Sequence, residues 1–157
     1  MRKTVLKPNS TSSRRDSQEQ WLDLAKIATA EVSSEDPNFP IESALSASEG
    51  PGWRAADPGE QIIRLVFDNP SSLRRIRLEF AETDIERTQE FALGWSQAGG
   101  PLREIVRQQW NFSPQGATRE VEDYEINVDN ASVLELRLKP DLTPGRAFAT
   151  LAAWRVA

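Results

Sequence analysis

Residues 61–80 read QIIRLVFDNPSSLRRIRLEF, and this stretch decides the fold class. In its second half Ile76, Leu78 and Phe80 alternate with Arg75, Arg77 and Glu79. Successive side chains of an extended strand point to opposite faces, so 74–80 is a half-buried strand, apolar toward a core and charged toward water. In the first half Ile63, Leu65 and Phe67 alternate with Ile62, Arg64 and Val66, which predicts another strand over 61–67. Between them Asn69-Pro-Ser-Ser predicts a turn.

The same grammar extends outward. Asp57-Pro-Gly-Glu precedes the first strand as a turn in which Pro fixes φ and Gly tolerates positive φ. Residues 88–96 place Phe91, Leu93 and Trp95 on one face, and Gln97-Ala-Gly-Gly-Pro closes that segment. A long strand is predicted over 102–112; its alternation is broken, as a bulge or a twisted edge would break it. After the Ser113-Pro-Gln-Gly turn, Tyr124, Ile126 and Val128 form an inward face. Leu134, Leu136 and Leu138 then alternate with Glu135, Arg137 and Lys139. Asp141-Leu-Thr-Pro-Gly leads to a last strand near 148–156. Upstream, Trp21–Ile27 suits one helical turn or an edge strand, and the proline-containing run from Ser33 to Glu42 reads as a loop. Strands spaced by Pro/Gly turns with little helix signal predict an all-β protein, an antiparallel β-sandwich or barrel.

Composition limits the chemistry. The 157 residues contain no cysteine and no histidine. Disulfides, thiolate nucleophiles and Cys/His zinc sites are excluded, and the commonest general base is missing. Residues 1–20 carry Arg2, Lys3, Lys7, Arg14 and Arg15 against Asp16 and Glu19 and have no periodic apolar pattern, so a flexible basic tail is expected there and one domain over 21–157. With a total of −5 and +3 in that tail, residues 21–157 carry −8. That balance argues against nucleic acid and an anionic membrane as partners, since both select clustered Lys and Arg. The opening residues have charge but no apolar run, so no secretory signal is expected, and a cytoplasmic location fits the absence of cysteine. No Gly-x-Ser-x-Gly, P-loop or Gly-x-Gly-x-x-Gly occurs.

The order of several short motifs resembles the discoidin domain, the coagulation-factor C-type or galactose-binding-like fold shared with many carbohydrate-binding modules. Asp23-Leu-Ala and Thr29-Ala-Glu-Val-Ser-Ser stand where that family opens. Glu42-Ser-Ala-Leu-Ser leads to Gly52-Trp-Arg where the family has an Asp-Gly loop leading to a Trp. Pro58-Gly-Glu-Gln-Ile-Ile-Arg-Leu and Phe91-Ala-Leu-Gly-Trp-Ser match two later strands. Trp53-Arg-Ala-Ala with Pro58-Gly-Glu is also similar to the N-terminal domain of a strand-break-repair scaffold, and the whole chain looks like small stand-alone bacterial proteins described as carbohydrate-binding. The resemblance covers about residues 22–156. It implies a jelly-roll β-sandwich that binds a carbohydrate-like ligand through its end loops, without catalysis and without a cofactor. The alternative, following the repair-scaffold similarity, is an intracellular protein–protein adaptor or, against the acidic balance, a nucleic-acid-binding domain. Many relatives hold a calcium ion with the loop Asp. Here Leu45-Ser46 stands in its place, so no metal site is expected, although Glu35, Asp36 and Glu42 offer oxygens.

Six residues are candidates for ligand contact. Trp53 and Arg54 follow a Gly-Pro-Gly loop: an aromatic face beside a cation suits a sugar ring, whereas a Trp here equally plugs the end of a sandwich core. Trp110 and Asn111, followed by Phe112, precede a Pro-Gln-Gly turn, as a sugar platform or as one core aromatic beside a turn-closing amide. Glu82 and Arg87 bracket a loop that also holds Asp84 and Glu86. Loops at a sandwich end are usual binding positions. Paired acids there also suit glycoside hydrolysis, against the simpler reading of a solvated acidic loop. Arg64, Arg75, Arg77 and Arg137 are assigned to outward faces paired with Glu79 and Glu135. Trp95, Tyr124 and Trp154 are assigned to the core.

Overall fold

A computed structural model describes residues 21–46 and 50–157; the expected basic tail over residues 1–20 lies outside them. The alternating stretch that opens the sequence reading is one strand, β3 (Gln61–Ala81), not two strands and a turn. It bends at Asp68–Ser72, where its pairing with β6 (Arg119–Lys139) slips in register at three points. Pro70 lacks an N–H and is tolerated in a strand only at such a bulge or an edge. The partner strand bends opposite it through Asn130, at φ 59°, a left-handed conformation that Asn tolerates better than most residues. The two long strands therefore turn one corner together and build both layers of a sandwich.

On one side of the corner the first half of β3 and the second half of β6 join β1 (Ala28–Val32), β4 (Arg87–Ser96) and the edge strand β5 (Arg103–Phe112), in the order β1-β3-β6-β4-β5, all antiparallel. On the other side the second half of β3 pairs with the first half of β6 and with β8 (Ala153–Val156). A small ladder of β2 (Trp53–Arg54) and β7 (Thr150–Leu151) closes one end. Two one-turn helices, α1 (Leu24–Ile27) and α2 (Ile41–Leu45), flank β1. No helix among the described residues is long and apolar enough to cross a membrane. The irregularity expected in 102–112 is present: between the pairs Leu93–Val106 and Gly94–Glu104 strand β5 carries one extra residue, Ile105, and a Cβ at Gly94 on the partner strand would lie 3.0 Å from the Arg103 carbonyl oxygen.

The layers meet through the faces that alternation selected. Ile63, Leu65, Leu78, Phe80, Phe91, Leu93, Leu136 and Leu138 are buried, and the Phe80 and Phe91 rings, one from each layer, sit 5.3 Å apart. Burial of each large apolar side chain stabilises the fold by roughly 1.5–3 kcal/mol. Trp154 is fully buried, while Trp95 and Tyr124 are half-buried at the core margin. The outer faces carry ion-pair ladders. Glu31–Arg64–Glu135–Arg137–Glu60 crosses one layer, and Arg75–Asp123–Arg77–Glu79–Arg119 crosses the other. The four arginines expected on outward faces are all paired there with carboxylates.

Candidate functional site

The corner and the C-terminal Ala157 occupy one end of the sandwich, where Arg74 and Arg75 donate their amides to the Ala157 carbonyl. The opposite end gathers the loops that follow β2, β3 and β6. There a pocket of about 340 Å³ opens, walled by Arg54, Glu82, Asp84, Arg146, Phe148 and Thr150. This volume falls within the range of small-ligand clefts, ~300–1,000 Å³.

The β2–β7 ladder positions the first wall. Arg54 pairs with Thr150, and Ala55 donates its amide to the Ala149 carbonyl at 3.0 Å, so residues 146–150 run beside Arg54. The Arg54 guanidinium lies over the Phe148 ring, 4.9 Å from its centroid. Such stacking holds the guanidinium plane still and leaves its N–H edge available. The ladder depends on Gly52, at φ 82°, where a Cβ would lie 2.6 Å from the Leu151 carbonyl oxygen; only glycine fits that approach.

The second wall, the 82–86 loop, is held from below by Arg87. The Arg87 side chain is 0 % exposed. It donates to Glu82 Oε1 at 2.7 Å, to Gln89 Oε1 at 3.2 Å, to the Pro140 carbonyl at 2.8 Å and to Thr150 Oγ1 at 3.4 Å, and its guanidinium lies over the Phe112 ring. Glu82 Oε2 accepts the backbone amides of Asp84 and Ile85. Partial burial opposes ionisation of Glu82, but the Arg87 bond and these amides outweigh it and hold its carboxyl below the ordinary value. Asp84 accepts the Thr83 hydroxyl at 3.2 Å.

Of the six sequence candidates, the structure brings Arg54 and Glu82 into the pocket wall and places Arg87 beneath it, sealed from ligand. Trp53 points the other way. It is 1 % exposed and donates Nε1 to the Ser34 carbonyl at 3.2 Å, so its ring has no open face and it acts through packing. Trp110 and Asn111 lie outside the pocket. Trp110 is half-buried on the inward face of β5, opposite Gln89, and Asn111 is exposed on the outward face, accepting the Thr88 hydroxyl at 3.0 Å. Sequence reasoning missed Phe148 and Arg146. Glu35 and Asp36, which offered oxygens to a cation, instead accept the backbone amides of Ile41 and Asn38. Among the described residues no group of three or more His, Cys, Asp or Glu is placed to hold a metal ion.

A larger hollow of about 580 Å³ lies against β1 between the helices. Its lining is mostly apolar, its one cation, Arg155, donates to the Ala44 and Trp154 carbonyls, and its rim at Leu45–Ser46 runs into residues outside the described set. The end pocket, by contrast, is walled by the polar groups of Arg54, Glu82, Thr83, Asp84, Arg146 and Thr150.

No known protein-family profile matches the chain, and no curated protein matches it in sequence. Solved structures match its fold. A family 32 carbohydrate-binding module of C. perfringens NanJ, in complex with galactose, superposes with a TM-score of 0.64 at 14% identity, over 87% of this chain and 96% of that one. The family 32 module of AlyQ, in complex with 4,5-unsaturated mannuronic acid, gives 0.62 at 14% identity, over 83% and 95%. A pectin-binding carbohydrate-binding module gives 0.61 at 16% identity, over 83% and 89%. The chain has the galactose-binding-like, discoidin-like β-sandwich fold.

Proposed function

We propose that this chain is a non-catalytic carbohydrate-binding module whose ligand enters the end pocket between Arg54, Phe148 and the 82–86 loop. The observation that carries the reading is the Arg54–Phe148 stack at the mouth of a preformed, polar-walled hollow. A pyranose presents apolar C–H faces and a ring of hydroxyls; an aromatic surface beside planar donors meets both. The fold supports the reading, because the solved modules that share it carry sugars.

Chemistry argues for binding rather than hydrolysis. A glycosidase acid must keep its proton near neutral pH. Glu82 is pushed the opposite way, and its oxygens are occupied by Arg87 and two amides. The carboxyl that does keep a proton, Glu120, is 0 % exposed inside the sandwich and outside the pocket.

Affinity electrophoresis through gels cast with a panel of polysaccharides tests the proposal. At least one polymer should retard the protein, Phe148→Ala should abolish the retardation, and Asn111→Ala, on the outer face of β5, should keep it. Migration unchanged by every polymer would overturn the reading.

A further inference from the structure

We infer that the end pocket selects a carboxylated sugar, a uronic-acid residue, over its neutral parent; this rests on the proposal that the pocket is the carbohydrate site. The inference comes from how the molecule distributes its charge. Among the described residues most lysines and arginines have a carboxylate within salt-bridge distance, including every arginine in the two outer-face ladders. Four arginines do not, and two of these lie outside the end pocket: Arg103 over the Trp95 ring, and Arg155 donating to backbone carbonyls. The remaining two, Arg54 and Arg146, line the same pocket. In an acidic protein with carboxylates to spare, two guanidinium groups without an anionic partner converge on one hollow.

One acid of the pocket wall is already neutralised. Glu82 lines the pocket but is held by the buried Arg87, so its charge is already balanced from below. Asp84 is the other carboxylate of the wall, and it faces the same space. The pocket is therefore polarised: donors with uncompensated positive charge on the Arg54–Arg146 side, an acceptor on the 82–86 loop. A uronate fits that polarity, with its carboxylate on the planar donors of Arg54, its hydroxyls toward Asp84 and a C–H face on Phe148. Arg–carboxylate contacts are frequently bidentate and stronger than contacts between neutral groups, whereas a neutral hexose leaves both cations uncompensated.

Calorimetric titration with sugars matched except at C6 reads this directly: galacturonic acid against galactose, and glucuronic acid against glucose, at low and at physiological salt. At least one uronate should bind about tenfold or more tighter than its neutral parent, as a charge-assisted contact is expected to provide. The margin should shrink with added salt. Arg54→Gln and Arg146→Gln should each bring the uronate toward the affinity of the parent sugar, with unfolding midpoints monitored to show that both variants remain folded. A neutral sugar that binds as tightly as its uronate, with Phe148→Ala abolishing both, overturns the acidic preference and leaves the carbohydrate site standing. Uronate binding untouched by either arginine variant overturns the assignment to this pocket. No binding by any of the four sugars, together with no retardation by any polysaccharide, overturns both.

Discussion

Replacing Glu120 with Gln should make the stability of this protein less sensitive to rising pH. Glu120 lies on the inward face of β6, opposite Phe80, and is 0 % exposed. Its Oε1 accepts Gln89 Nε2 at 3.3 Å, and its Oε2 is buried without a donor. The neighbouring carboxyl is that of Glu122, which accepts the Tyr124 hydroxyl at 2.9 Å. Burial first, and the Glu122 carboxyl second, push the Glu120 pKa from 4.5 up to about 9, against smaller opposing effects of Gln89 and Arg87. The folded protein thus keeps a proton that the unfolded chain releases above pH 4.5. The Glu120 contribution is intact below that pH and is lost progressively as pH rises toward 9, by up to about 1.4 kcal/mol per pH unit. Between pH 6 and 8 that slope amounts to roughly 3 kcal/mol. Gln keeps the shape and the neutral charge of the protonated acid and does not titrate. Urea denaturation of both proteins at half-unit pH intervals measures the difference, with a constant m-value guarding the comparison. The curves should lie close near pH 5 and diverge toward pH 8, the variant being the more stable. Parallel curves over the whole range would refute the reasoning.

Arg87→Met should cost about 3–5 kcal/mol in urea denaturation, because it leaves Glu82, Gln89 and the Pro140 carbonyl without their buried donor; a loss under 1 kcal/mol, within the range of an exposed pair, would contradict the buried network. Gly52→Ala should destabilise by at least ~2 kcal/mol, since it combines a left-handed φ with a backbone clash at 2.6 Å; thermal melting checks it, and an unchanged midpoint would contradict the need for glycine at the β2–β7 approach. Trp53→Phe should lower stability by roughly 1–3 kcal/mol through the lost Ser34 bond and lost volume, yet leave sugar affinity per folded molecule unchanged; reduced affinity in the intact fold would place Trp53 at the ligand after all.

Much of the architecture was legible because alternation is a two-residue signal that needs no tertiary information. Ile76, Leu78 and Phe80, and later Leu134, Leu136 and Leu138, are buried as their spacing requires. The corner at Asn69-Pro70 was read as a turn because a proline in a bulge and a proline in a turn look alike locally. The pairing of Ser71 with Ala131 decides it, and that is non-local. Helix α1 falls within Trp21–Ile27, which the sequence left as one helical turn or an edge strand, and α2 escaped notice, because four or five residues carry no resolvable period. The start of β6 was also hidden, since two of its inward positions are Glu120 and Glu122, polar residues where alternation leads one to expect apolar ones. Arg54 and Glu82 stood out because they sit beside turn residues. Phe148 and Arg146 did not, because what makes them part of a site is the β2–β7 ladder, which joins segments far apart in the chain. The burial of Arg87 rests on the same kind of contact, to Pro140 and Thr150.

Amide chemical-shift mapping during titration with galacturonic acid or a short oligomer of it probes the central claim at single-residue resolution. Saturable shifts should cluster at Arg54, at 82–85 and at 146–150, with the hollow beside β1 silent. Shifts centred on that hollow or on the outer ladders, or none at millimolar sugar, would contradict a module that meets its ligand at the Arg54–Phe148 end.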